Sequence, residues 1–390
     1  MRPDFQFKDK VGIYLDNAAT TVVAEDVVDA MHQYWEFKYG NPGTVYELGR
    51  EAQDSVDQSR ELIVDILKCS PEELFFTSGG TESNNWAIKG FRKGSKGIMV
   101  SSVEHDSVLK AAKWESEDNN VPYYEIPVDQ YGVVNLVQME RELKTRQYAL
   151  VSIQYANNEI GTIQPVEQIA DLCHKYGVIY HCDAVQALGK IDFDVDDVKA
   201  DMISFSAHKI HGPMGIGALY IKNGTPIDPL LHGGGQENGM RSGTLAVPLI
   251  VGFAKAAEMA VDSIKQEMPR LKKMTDDLSG MICNFFKGAK RNGHPTEMLP
   301  NILSLTIPSV EAELICSMMN VRYTTSIATG SACSTIKRQS HVLEAIGGGS
   351  EDVFHTLRIS LSRYNKEKEM DLVFANLQNA FRDAQSRSLI

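Results

Sequence analysis

The stretch Ser204 to Gly217 has the sequence S-F-S-A-H-K-I-H-G-P-M-G-I-G and contains the most informative lysine of the chain, Lys209. An apolar run that predicts a strand over Asp201–Ser206 precedes this lysine, and a glycine-rich turn follows it. Because its neighbours are small or carry hydroxyls, the amine can lose solvation there and act as a nucleophile toward an aldehyde. A lysine on an ordinary helix face would lie in solvent instead.

A second stretch, Ile179 to Gly189, has the sequence I-Y-H-C-D-A-V-Q-A-L-G and lies about one strand–helix–strand unit earlier. It predicts a strand over Val178–Cys182 with Asp183 at the carboxyl end. A lysine for a Schiff base and a carboxylate for a pyridine nitrogen are the two anchors of pyridoxal phosphate (PLP). Gln186 could donate to the phenolic oxygen of that ring. The alternative interpretation is an aspartate helix cap followed by a surface glutamine.

Composition limits the classes of function. The chain has 390 residues, which favours two lobes over one average domain. Its net charge of −12 argues against a nucleic-acid partner, which needs a basic face, and against adhesion to anionic membranes. No apolar run reaches transmembrane length, and residues 1–10 lack a signal-peptide core. Six cysteines without a C-x-x-C pair indicate a reducing compartment, so we expect a cytoplasmic protein.

Strand-like and helix-like segments alternate from about residue 14 to residue 260, which predicts an α/β fold with a mostly parallel sheet. We expect a large domain over residues 14–263, and a smaller α+β domain formed by residues 1–13 and 264–390. Separate helices are predicted over Ala246–Met259 and Ile264–Lys287. The predicted strands of the large domain are Leu74–Thr77, Gly97–Ser101, Tyr148–Gln154, Val178–Cys182, Asp201–Ser206 and Gly217–Ile221.

The stretch T-S-G-G-T-E-S, Thr77 to Ser83, follows a predicted strand, opens a predicted helix and could bind a phosphate. Gly79 and Gly80 permit a close approach of the backbone, and Thr81 adds a hydroxyl at the positive end of the helix. A capping box without a ligand is the alternative. The turn has neither a Walker pattern nor G-x-G-x-x-G, which argues against ATP and NAD. Ser206 and His208 beside Lys209 could also hold the phosphate.

Two further polar residues follow predicted strands. His105 could stack on a flat aromatic ring and transfer protons near neutral pH, although a loop histidine can be purely structural. Asn158, in A-N-N-E-I-G, could bind the ring oxygen or a substrate carboxylate, or could simply form a turn. Metal ligation is considered for His208 with His211, and for His174, His181 and Cys182, but neither set has a zinc-site spacing, so no metal is expected.

Cys333 lies among small residues without periodicity, S-I-A-T-G-S-A-C-S-T-I-K-R-Q-S, which predicts a loop. Lys337 and Arg338 nearby would favour its thiolate, although an exposed loop cysteine can also be inert. Arg358 lies in an alternating strand pattern, where its fork would bind a substrate carboxylate or form a structural ion pair. R-S-G-T, Arg241 to Thr244, predicts a turn with no evident local role.

In this order, the motifs resemble those of the cysteine desulfurases in the class V aminotransferase superfamily, which are PLP enzymes of fold type I. The resemblance runs from about Tyr14 to Arg363, and the long cysteine loop followed by S-H-V-L resembles the NifS/IscS-type branch. The motifs are L-D-N-A-A-T-T, Y-G-N-P-G-T, T-S-G-G-T-E-S-N, V-E-H, N-N-E-I-G, H-C-D-A-V-Q, S-F-S-A-H-K-I-H-G-P, G-M-R-S-G-T and G-S-A-C-S.

The resemblance implies a role for each matching residue. Lys209 would join the aldehyde of PLP covalently and later remove the α-proton of L-cysteine, and His105 would stack on the ring and serve in acid–base steps. Cys333, on a loop over about residues 325–342, would take the substrate sulfur as a persulfide and leave alanine. Asp183 and Gln186 would hold the ring of PLP. The phosphate would be bound by Gly80, Thr81, Ser206 and His208, and also by Thr244 of the partner subunit in a homodimer. Asn158 and Arg358 would bind the carboxylate of the substrate.

The sequence departs from the family pattern at Val22, where proline is common, and at His211 and Met214, where Y-G-P-K-G reads H-G-P-M-G. It also has Lys337-Arg338-Gln339 where Leu-Glu-Pro is common. These departures leave open the acceptor protein that takes the sulfur, including whether it is an iron–sulfur scaffold. A selenocysteine lyase or another β-eliminating relative is the main alternative, and Cys333 argues for the desulfurase. A non-catalytic scaffold in a sulfur relay is a further alternative, against which the complete set of catalytic residue types argues.

Overall fold

The structure, a computed structural model, describes residues 12–91, 96–308, 310–329, 340–349 and 352–386. Within these ranges the strands are β1 (Ile13–Tyr14), β2 (Leu74–Thr77), β3 (Gly97–Ser101), β4 (Tyr123–Ile126), β5 (Tyr148–Ser152), β6 (Ile179–Asp183), β7 (Met202–Ser206), β8 (Gly217–Ile221), β9 (Lys290–Arg291), β10 (Ile302–Thr306), β11 (Thr325–Ser326), β12 (Ala328–Thr329) and β13 (Thr356–Ser360). The α-helices are α1 (Glu25–Glu36), α2 (Glu47–Leu67), α3 (Gly80–Lys89), α4 (Asp106–Asn119), α5 (Leu136–Thr145), α6 (Val166–Tyr176), α7 (Val195–Val198), α8 (Val247–Phe285), α9 (Ala312–Tyr323), α10 (His341–Ala345) and α11 (Glu367–Ser386).

The main sheet has the strand order β2-β8-β7-β6-β5-β3-β4. β8 pairs antiparallel with β2 and β7, and the other neighbouring pairs are parallel. The expected α/β class with a mixed, mostly parallel sheet is therefore confirmed. Because β2, β3, β5, β6 and β7 run in the same direction, their carboxyl ends lie along one edge, where ligands bind in open α/β sheets.

Helices cover both faces of this sheet, which explains why its strands are apolar at nearly every position. In β3, for example, Ile98 and Val100 belong to the cluster packed against α3 and α4, whereas Met99 belongs to the cluster on the opposite face. Successive side chains of a strand point to opposite faces, so a strand buried on both sides cannot alternate with polar residues. The strand ends carry the polar side chains instead.

The second part of the chain packs around its own apolar cluster and a four-stranded antiparallel sheet in the order β12-β13-β10-β9. α8 is continuous over Val247–Phe285, so the prediction of two helices separated near residue 263 was wrong. The helix changes partners along its length, because Ile250 and Phe253 belong to the apolar cluster that includes α1, α2 and the main sheet, whereas Leu271 and Leu278 belong to the cluster of the second part of the chain. The division near residue 263 remains a prediction.

None of the helices in the described ranges is both long enough and apolar enough to cross a bilayer.

Candidate active site

A cavity of about 360 Å³ opens at the carboxyl edge of the main sheet. This volume lies within the range of small-molecule sites. Five strand ends contribute to it, because β2, β3, β5, β6 and β7 all finish there. The predicted site residues that line it are Gly80, Thr81, His105, Asn158, Asp183, Gln186, Ser206, His208 and Lys209. Thr244 and Arg358 are not among its lining residues, and Cys333 lies outside the described residues.

Lys209 ends a short 3₁₀ turn directly after β7, where the chain leaves the sheet. Its side chain is half-buried, and Nζ donates to the carbonyl oxygens of Ala18 at 2.7 Å and Ala19 at 2.6 Å. These carbonyls belong to the segment between β1 and α1, nearly 200 positions earlier in the sequence. The contacts hold the amine at the wall of the cavity.

Asp183 is the last residue of β6 and is buried. Its Oδ1 accepts from the backbone N–H of Val185 at 3.0 Å, and its Oδ2 accepts from Asn84 Nδ2 at 2.7 Å. The first contact is local, but residues 185–190 form turns rather than a helix, so Asp183 is not the helix cap of the alternative interpretation. The second fixes the carboxylate from α3, because the same Asn84 amide also donates to Ser107 Oγ at 2.8 Å. Asp183 is thus held rigidly while it lines the cavity.

His105 caps the N-terminus of α4, and its Nδ1 accepts from the backbone N–H of Ser107 at 3.1 Å. Since a backbone N–H can only donate, Nδ1 carries no proton and the ring N–H is at Nε2. Burial lowers the pKa of His105, and the charge of Lys209 lowers it further while Asp183 opposes both. The imidazole is therefore neutral near pH 7. His105 therefore caps α4 and also lines the cavity.

The turn between β2 and α3 forms one end of the cavity. Gly79 has φ +144°, which L side chains rarely adopt, and a Cβ on Gly217 would lie 2.8 Å from Gly79 Cα. This packing places the N-terminus of α3 beside Ser206. Ser206 is 3% exposed, and its Oγ has no hydrogen-bond partner among the described residues. A buried hydroxyl without a partner at a helix N-terminus fits an anion such as phosphate.

His208 lies beside this end of the cavity and remains neutral. Its Nδ1 is 3.0 Å from Thr20 Oγ1. Burial, together with the charges of Lys209 and Lys190, lowers the pKa of His208 to about 4. A neutral imidazole beside Ser206 and Thr81 can bind a phosphate through a ring N–H without adding a charge. The donors present therefore fit the phosphate, the ring and the aldehyde of PLP.

Arg358 is 1% exposed in β13 and donates to Asp16 Oδ1 at 2.7 Å and to the carbonyl of Asn158 at 3.1 Å. The structure therefore contains the ion pair that the sequence left as an alternative to substrate binding. Its Nε has no partner among the described residues. Asn158 lines the cavity, so its contact with Arg358 connects one wall of the site to the four-stranded sheet of the second part of the chain.

Sequence reasoning missed four residues that support this site. Asn84 stands one position beyond the predicted turn and could have been found from its place in T-S-G-G-T-E-S-N. Arg241, to which the sequence assigned no role, donates in a fork to Glu82 of α3 at 2.8 and 3.0 Å. Glu104 and Lys190 are buried ionisable groups beside the cavity wall, and no local pattern reveals burial. The groups of His, Cys, Asp and Glu in the described ranges include none suited to a metal ion.

The chain is similar to known proteins over nearly its whole length. A family profile described as Aminotransferase class-V matches residues 13–373. A protein named cysteine desulfurase IscS from Methanosarcina thermophila is 41% identical, covering 93% of this chain and 90% of that protein. Cysteine desulfurase IscS 1 from Archaeoglobus fulgidus is 38% identical, covering 96% of this chain and 98% of that protein.

Solved structures agree with the sequence relatives. One described as a NifS-like protein has a TM-score of 0.88 and 38% identity, with 95% of this chain and 99% of that chain covered. Another, described as SspA in complex with cysteine, has a TM-score of 0.77 and 34% identity, covering 91% of this chain and all 100% of that one. The expected PLP-dependent fold of type I is confirmed.

Proposed function

Because the chain belongs to the class V aminotransferase family, we propose that it is a PLP-dependent cysteine desulfurase that converts L-cysteine to L-alanine and transfers the sulfur to Cys333. One observation carries the proposal. A single cavity at the sheet edge is lined by the amine of Lys209, the carboxylate of Asp183 and the hydroxyl of Ser206, which has no hydrogen-bond partner within the described ranges. These groups match the aldehyde, the pyridine nitrogen and the phosphate of PLP.

The chemistry that PLP supplies when bound is an electron sink for the pair left at the α-carbon of the substrate. Lys209 would bind the aldehyde and then carry the α-proton on Nζ. Asp183 would keep the pyridine nitrogen protonated, and Asn84 holds its carboxylate in place. His105 would cover the ring and donate from Nε2. Gly80, Thr81, Ser206 and His208 would bind the phosphate.

Cys333 is the proposed sulfur acceptor. Its thiolate attacks the sulfur of the substrate, the carbon–sulfur bond breaks, and the electron pair left on the β-carbon takes a proton to give alanine. The products are alanine and a Cys333 persulfide, so no external oxidant is needed. Burial raises the pKa of Cys69 and Cys316 to about 12, and burial also raises that of Cys173 and Cys182. These four thiols are therefore protonated near neutral pH and are poor nucleophiles.

We propose a homodimer as the working form. Large apolar side chains are exposed near one another in sequence at the end of α1 and after it, including Trp35, Phe37 (69% exposed) and Tyr39 (68% exposed). Thr244 is exposed and does not line the cavity of its own chain. A second copy that covers these aromatic residues could bring Thr244 to the phosphate end of its neighbour's site.

The persulfide would pass its sulfur to an acceptor protein for iron–sulfur clusters, thiolated tRNA or cofactors. The cysteines of the described ranges form no disulfide, which is consistent with a reducing compartment such as the cytoplasm.

The experiment compares Cys333→Ser with Cys283→Ser, a control on α8. We expect Cys333→Ser to bind PLP normally but to form no protein persulfide and to lose alanine production from L-cysteine. Cys283→Ser should retain both. If Cys333→Ser released alanine at the rate of the unmodified protein, the desulfurase proposal would fail, and release of selenide from selenocysteine would then favour the lyase.

A further inference from the structure

Lys190 is a second lysine near the active site, and the proposed mechanism does not use it. It is 9% exposed and follows β6 by seven positions. Among the described residues its ammonium has a single hydrogen-bond partner, Gln186 Oε1, at 2.7 Å, and no carboxylate lies within ion-pair distance. A buried cation without a counterion is costly, so its presence needs a reason.

Lys190 fixes the orientation of the Gln186 amide. Lys190 Nζ donates to Oε1 of Gln186, so the amide oxygen faces Lys190 and Nε2 faces the other way. Nε2 donates to the carbonyl of Ala18 at 3.0 Å, and Lys209 Nζ donates to the same carbonyl at 2.7 Å. Gln186 lines the active-site cavity, whereas Lys190 lies behind it. One set of contacts therefore connects Lys190 through Gln186 to the reactive amine.

The space around Lys190 is too small for a ligand larger than water. Lys190 and Lys209 both line a second cavity of about 30 Å³, which is enough for one or two water molecules. Burial and the charge of Lys209 lower the pKa of Lys190 to about 7. An anionic ligand in the adjoining active-site cavity would favour the protonated amine, because opposite charges stabilise each other.

We propose that Lys190 is a positioning residue of the cofactor site, which holds Gln186 with its amide N–H directed to the phenolic oxygen of PLP. This inference rests on the proposed function. It assigns to Lys190 an effect on the bound cofactor that acts through Gln186, and a lysine that served packing alone would have no such effect.

The test is a double-mutant cycle with Lys190→Met, Gln186→Ala and the double variant, with Lys175→Met on the surface of α6 as the matched control. Titration of cofactor-free protein with PLP gives the Kd, and the absorption band of bound PLP gives an independent readout. We expect each single variant to weaken PLP binding about 10-fold, as for a hydrogen bond to a charged group, and to shift the band. The double variant should resemble Gln186→Ala, because the second change has nothing left to act through.

Additive effects in the double variant, or a Lys190→Met protein with an unchanged Kd and band, would overturn the inference. Lys190→Gln provides a second variant should Lys190→Met fail to fold, and it should show the same non-additivity with Gln186→Ala. Unmodified protein that binds no PLP would refute the proposed function itself, so the two failures are distinguishable. Lys175→Met should bind PLP like the unmodified protein.

Discussion

Replacement of Glu104 by glutamine should change how the stability of the cofactor-free protein depends on pH. Glu104 is fully buried next to His105, and each of its carboxyl oxygens accepts from the backbone N–H of Gln154 at 3.0 Å. Burial raises the pKa of Glu104 to about 8, since the hydrogen bonds from Ser101 and Gln154 offset only part of its effect and the charge of Asp183 adds to it.

The sign of the effect follows from the two pKa values. In the unfolded chain the carboxyl has its ordinary pKa of 4.5, so between pH 4.5 and about 8 the folded protein binds a proton that the unfolded chain has released. Stability is therefore lost as the pH rises through this window. The loss is about 1.4 kcal/mol per pH unit inside the window and about half that at pH 8, where the folded carboxyl is half ionised. This gives about 2 kcal/mol between about pH 6 and pH 8 and about 5 kcal/mol in all.

Glutamine at this position keeps an acceptor for the N–H of Gln154 but cannot ionise. Urea unfolding at several pH values, followed by the fluorescence of the buried Trp86, gives the free energy of unfolding. From about pH 6 to pH 8 the unmodified protein should lose about 2 kcal/mol relative to Glu104→Gln. Glu117→Gln, at an exposed position of α4, should follow the unmodified protein. Curves for Glu104→Gln and unmodified protein that stayed parallel within about 0.5 kcal/mol would refute the reasoning.

Two further substitutions test the site and its support. Ser206→Ala should weaken PLP binding about 10-fold while leaving the cofactor-free protein at least as stable, because the hydroxyl has no partner to lose in the part of the chain that the structure describes. Lower stability with unchanged PLP affinity would contradict this account. Arg358→Gln should lower the free energy of unfolding by about 3 kcal/mol, because it leaves Asp16 without its ion-pair partner. Urea unfolding measures this loss, and a rise in KM for cysteine at full stability would instead favour a role in substrate binding.

Much of the active site could be predicted from the sequence, because its residues follow strands directly. Lys209 comes after β7, Asp183 ends β6, and the turn at Gly79 and Gly80 joins β2 to α3. Parallel strands place their carboxyl ends at one edge, so residues distant in sequence meet there without any further information. The ordered motifs also predicted the family, and the match of the class-V aminotransferase profile to residues 13–373 confirms it.

The packing of whole elements was not predictable in the same way. The charged pattern after residue 263 predicted a new helix, but the structure continues α8 from Val247 to Phe285. Helical periodicity is the same on both sides of this point, and what changes is the surface against which the helix packs. The partner of a helix face is not encoded within the helix itself.

The sequence by itself determined which chemical groups this protein has and at which strand ends they lie. Only the tertiary structure decided which of these groups are buried, which are paired and how their pKa values shift. Arg358 pairs with Asp16 across 342 positions of chain, the buried hydroxyl of Ser206 has no partner among the described residues, and Glu104 and Lys190 are buried. Burial and partners from distant segments determine the pKa of a side chain and whether its polar atoms are hydrogen-bonded. Burial and such partners arise from contacts between segments, which no local pattern of residues contains.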